Sequence, residues 1–130
     1  MAEGQGRTPD RLASVEAWKL AEIETPGGSR SPVVLRSNDE ARAVLVGLEP
    51  GQGLGDHQVK EHAWVVVVDG SAVFRAGDEE IDGPVGTLVR FVPDERHSVR
   101  SDGGAKILLL LAPWPGPGHY RGQEKARVKV

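Results

Sequence analysis

The chain has 130 residues, with 16 Lys and Arg against 19 Asp and Glu, four His, no Cys and a formal net charge of −3. That length permits one compact domain with a modest core, and the absence of Cys excludes disulfides, thiolate metal sites and Cys nucleophiles, so any metal must rest on His, Asp or Glu. The acidic balance argues against nucleic acid as a partner, because groove and backbone binders carry a basic surface.

Met1 to Arg7 is polar and holds no apolar segment, which predicts neither a secretion signal nor an anchor and hence a cytoplasmic protein. Residues 1–11 are expected to be disordered, 12–120 to form a single domain and 121–130 to be a flexible, weakly basic tail. From Asp10 to Ile23 the apolar residues Leu12, Val15, Trp18 and Ile23 recur at steps of three to five, and Thr25-Pro26-Gly27-Gly28 ends the pattern. This spacing predicts one short N-terminal helix.

The texture then changes to short Val-rich segments divided by turn residues: Pro32 to Arg36, Ala41 to Leu48, Trp64 to Asp69, Ala72 to Ala76, Thr87 to Val92, His97 to Arg100 and Lys106 to Ala112. Seven or more short strands predict an all-β sandwich or barrel. Asp69-Gly70, Gly77-Asp78, Asp82-Gly83-Pro84 and Asp102-Gly103-Gly104 read as the tight turns between them. Trp64 to Val68 is apolar at every position, which predicts a strand covered on both faces and, with the Trp-bearing end Ala112 to Gly118, a homodimer. That Pro-rich end is expected to be an ordered strap. The longest apolar runs are far shorter than the roughly 20 residues that cross a bilayer, so no membrane partner is expected.

Gly51-Gln52-Gly53-Leu54-Gly55 lacks the sixth-position Gly and the following helix of a phosphate loop, because Asp56 stands at that position and a Val-rich strand follows. The remaining chemistry lies in His57, Gln58-Val59-Lys60-Glu61-His62, Gly70, Gly86, Pro93 and His97. From Leu48 to Ala112 the chain resembles the cupins, small double-stranded β-helix barrels of the RmlC-like jelly-roll type. Their second motif runs G, five residues, P-x-G, two residues, H, three residues, N. Gly86 and His97 stand at that spacing, with Pro93 one place late, Asp94 where Gly is usual and Ser101 at the Asn position.

The first motif runs G, five residues, H-x-H, three or four residues, E, six residues, G, and it can be laid on in two registers. With Gly51 and Gly70 as its glycines, His57 is the first ligand position while Val59 and Ala63 occupy the second His and the Glu and line the pocket. With His57 as the second His, Gly55 replaces the first, His62 takes the Glu position, and His57, His62 and His97 could face one point. The resemblance thus implies either a small-molecule pocket without a complete metal site, or a metal-dependent enzyme of the dioxygenase, isomerase or decarboxylase type. The second would hold one divalent transition metal (Fe, Zn, Ni or Cu) on three imidazoles, a donor set that suits those ions and leaves positions open for substrate. His57 and His62 are an odd number apart, so a turn or bulge would be needed to turn both inward. Glu61 is a fourth donor or general base in the functional reading and a surface carboxylate beside Lys60 in the simpler one. His119, in the tail, is expected to be solvated.

Overall fold

The structure, a computed structural model, describes residues 10–12 and 15–117. His119, the tail 121–130 and residues 1–9 of the expected disordered N-terminus lie outside the described residues. Ten strands are described: β1 (Asp10–Leu12), β2 (Val15–Ala17), β3 (Val33–Ser37), β4 (Arg42–Leu48), β5 (Gly53–His57), β6 (His62–Ala76), β7 (Glu79–Pro84), β8 (Leu88–Phe91), β9 (His97–Arg100) and β10 (Ala105–Ala112). β1 and β2 pair with each other, and the other eight form one curled antiparallel sheet in the order β3-β4-β10-β6-β9-β5, with β7 and β8 added on β6.

The expected N-terminal helix does not form. Asp10–Leu12 pairs with Val15–Ala17, and only the three-residue 3-10 turn Leu20–Glu22 follows. Ile23 is buried with Val33, Leu35 and Leu45 on the outside of the main sheet, with Trp18 and Leu20 packed against them. Lys106 Nζ holds the segment down by donating to the carbonyls of Leu20, Ala21 and Ile23 at 3.4, 3.2 and 2.6 Å. An isolated short helix is marginal in water, and apolar steps of three to five residues suit this sheet face without one.

β6 is the spine. Residues His62 to Gly70 run beside β10, with Ala63 to Val66 also against β8, and residues Ser71 to Ala76 run beside β7, with Val73 to Arg75 also against β9. Asp69-Gly70 is therefore not the expected hairpin turn but a point inside one 15-residue strand. The register against β10 slips by one residue here: Ile107 pairs Val67 and Lys106 pairs Asp69, leaving Val68 extra. Gly70 follows with φ 72°, and a Cβ there would run into the backbone of Gly104. Because side chains alternate faces, one extra residue reverses the parity. Ala63, Val65 and Val67 face the core before it and Ala72 and Phe74 after it, all in one buried cluster with β4, β8, β9 and β10.

The double cover expected for Trp64 to Val68 is replaced by alternation: Val65 and Val67 are buried, whereas Trp64 on the other face is 39% exposed. Two strands lay hidden in the sequence. β5 carries four polar or glycine positions in five, and β7 has only Gly83 buried. Asp82-Gly83-Pro84, expected as a turn, continues the ladder to Pro84 opposite Ser71, and Gly83 is pressed so close to the Phe74 ring that a Cβ would lie 2.8 Å from Cε2. No helix among the described residues is long and apolar enough to cross a membrane.

Candidate functional site

His57 ends β5 and His97 begins β9, and the antiparallel register sets them directly opposite each other. Their rings meet at 4.4 Å between centroids, inclined by 62°. Phe91, at the end of β8, lies flat on the His97 ring at 3.9 Å and 5°. Val89 and Phe91 alternate with exposed Leu88 and Arg90 along β8, which turns Phe91 inward. Alternation was the one signal of its position, since no motif position marks it.

Each imidazole is fixed by its own strand. His57 Nδ1 donates to the carbonyl of Gly55, and His97 Nδ1 donates to that of Glu95 at 2.8 Å. A carbonyl can only accept, so both rings carry hydrogen on Nδ1 and, when neutral, a lone pair on Nε2. Burial holds His97 below its usual pKa. The Glu95 carbonyl and the charges of Glu95 and Asp56 oppose that shift, and neighbouring His57 adds to it.

The segment between β5 and β6 is tied to the turn that precedes His97. Val59 and Ala63 are buried in the same cluster as Phe91, and Ala63 is the ladder partner of Phe91. Asp94 N–H donates to the Val59 carbonyl at 2.8 Å, and Lys60 Nζ reaches Asp94 Oδ1 at 2.8 Å. Glu61 is not the surface carboxylate of the simpler reading: it is fully buried, and its Oε2 accepts the N–H of Gly116 at 2.7 Å. That bond clasps the strap, whose Trp114 enters the core beneath the Arg42 guanidinium, 4.9 Å from the ring centroid.

His62 stands apart. It shares the outward parity of Trp64 and Val66, and its Nδ1 accepts from Arg90 Nη1 at 3.0 Å. The Arg90 guanidinium in turn lies 5.5 Å over the Trp64 ring. The structure brings His57 and His97 together and leaves His62 on the outer face.

The profile of the AraC-like ligand-binding domain matches residues 45–111, just over half of the chain. The chain belongs to this family. Among solved structures it is similar to an RmlC-like cupin from Desulfovibrio desulfuricans, at 23% identity and TM-score 0.67 over 76% of this chain and 97% of that one. A cupin superfamily protein from Desulfitobacterium hafniense aligns at 16% identity and TM-score 0.66 over 82% and 98%. An RmlC-like cupin from Shewanella frigidimarina aligns at 22% and 0.63 over 71% and 83%. These likenesses show the fold, the cupin double-stranded β-helix. No curated protein matches the chain.

Within this cupin barrel the second motif keeps its geometry where its letters change. Asp94, at the usual Gly position, has φ 66°, the left-handed conformation that favours Gly. Ser101, at the Asn position, is buried with its hydroxyl donating to the Ser71 carbonyl at 2.6 Å. The metal positions fare differently. Among the described residues no group of three or more His, Asp or Glu side chains is placed to hold an ion, and two imidazoles fall short of the three protein donors that a catalytic centre uses. Among the described residues, the His57–His97 pair is thus not a complete metal site.

The depressed pKa of His97 has a consequence for stability. Between the folded pKa and the unfolded value near 6.5, the unfolded chain binds the extra proton, so stability rises with pH and is lost as pH falls below about 6.5. Urea denaturation at pH 8 and pH 5.5 should show the wild type losing stability at the lower pH by more than His97→Gln does. Equal losses would contradict the assignment.

Proposed function

We propose that this protein binds a small molecule at the end of its cupin barrel, with His57 and His97 as the polar groups that orient it, Phe91, Val59 and Ala63 as the apolar surround, and no resident metal. The observation that carries this reading is the opposed imidazole pair, held by backbone carbonyls, with His97 stacked on Phe91 at the edge of the apolar cluster. The family's ligand-binding description agrees with it. A metal-dependent dioxygenase, isomerase or decarboxylase would need a third donor, and His62 is engaged with Arg90 instead.

A thermal-shift panel of polyols, amino acids, nucleosides and organic acids tests the reading. A true ligand present at about 100 times its Kd adds about 2.7 kcal/mol of stability, a rise of several degrees for a domain of this size. The expected result is a hit whose shift disappears in His57→Ala and in His97→Gln. Hits that survive unchanged in both variants would refute the site.

We also propose that the protein is a homodimer. β3 and the segment through Ile23 cover the β4 side of the outer sheet face, whereas Trp64, Leu110 and Leu88 remain 39%, 37% and 57% exposed. Leu110 pairs Trp64 across β10 and β6, and Leu88 pairs Val66 across β8 and β6, which makes these residues one strip. A second copy laid on the strip would remove it from water. Light scattering should find a dimer in the wild type and a folded monomer in Trp64→Glu/Leu110→Glu. A monomeric wild type would overturn the proposal.

A further inference from the structure

The two imidazoles carry the same constraint at the same atom. Nδ1 of His57 is used by the carbonyl of Gly55, two residues back, and Nδ1 of His97 by that of Glu95, also two residues back. Neither ring can exchange tautomers without placing a lone pair against a carbonyl oxygen. Phe91, stacked parallel to His97 to within 5°, fixes the plane of that ring, and the β5–β9 ladder fixes its distance from His57. What the pair presents to a visiting molecule is therefore two Nε2 lone pairs on rings 4.4 Å apart.

We infer that His57 and His97 form a paired acceptor site that selects neutral ligands bringing adjacent O–H or N–H donors, a vicinal diol or an amino alcohol, over carboxylates of similar size. This rests on the reading that the two histidines line the ligand site. A diol can give one hydrogen to each Nε2, whereas a carboxylate sets its own lone pairs against both and leaves the two acceptors without a donor, the costlier outcome. The surroundings act in the same direction. The negative charges of Asp56 and Glu95 are close enough to be felt at His97, and they oppose a second anion. The nearby Lys60 ammonium is engaged by Asp94 at 2.8 Å.

Histidine 15N NMR of the full chain at pH 8 tests this, with 1,2-propanediol and acetate as probes. The free protein should show hydrogen on Nδ1 of both His57 and His97. The diol should move both Nε2 resonances along a saturable curve with a Kd at least tenfold below that of acetate, and His57→Ala should raise the diol's Kd at least tenfold. Acetate binding as tightly as the diol, in a manner that depends on His57, would overturn the acceptor rule while leaving the small-molecule reading in place. Hydrogen on Nε2 of either free ring would likewise overturn the rule. If neither probe moves either histidine and the thermal-shift hits bind elsewhere, both the rule and the site are refuted.

Discussion

β6 has to present one apolar face to two different sets of partners, and the extra residue at Val68 is what allows it. Without the slip, the parity that buries Ala63, Val65 and Val67 would send Ala72 and Phe74 to the outside. Gly70, with its positive φ and its contact with the Gly104 backbone, provides the local conformation that no residue with a Cβ could adopt in that space. With β6 continuous, β8 and β10 are held on its first part and β7 and β9 on its second. The turn from β8 to β9 must then cross from one part to the other, and it carries Phe91 on one side and His97 on the other.

The site follows from that crossing. Phe91 is positioned by its ladder partner Ala63, His97 by its opposition to His57, and the connecting turn by the Asp94 bonds to Val59 and Lys60. The same framework explains why His62 is absent from the pair. As the first residue of β6 it takes the parity of Trp64, and the inward place one residue later belongs to Ala63. Glu61, immediately before, is drawn inward to hold Gly116 and through it the strap that carries Trp114. Three successive residues thus serve the strap, the outer surface and the core.

Much of this was legible in the residues themselves. The short apolar runs marked β3, β4, β8 and β10, and Gly86 and His97 marked the second motif at its spacing. Asp94 shows that a motif letter stands for a backbone conformation rather than a residue type. What escaped did so for physical reasons. β5 and β7 are polar or exposed along nearly their whole length, so no hydrophobic pattern reports them. Asp69-Gly70 has the composition of a turn and the role of a bulge, because both need the same positive φ. The helix expected from Leu12 to Ile23 gave way to tertiary burial and to the hold of Lys106 on three carbonyls. The burial of Glu61 depends on Gly116, 55 residues away, and no local pattern carries it.

The central claim is that the barrel keeps two of its family's ligand-position histidines as a ligand-orienting pair rather than as a metal centre. Elemental analysis of protein expressed in medium supplemented with iron, zinc, nickel and copper, set beside a His57→Ala variant, tests it most directly. The account predicts far less than one equivalent of any of these metals in both proteins. About one equivalent in the wild type, lost in His57→Ala, would contradict it.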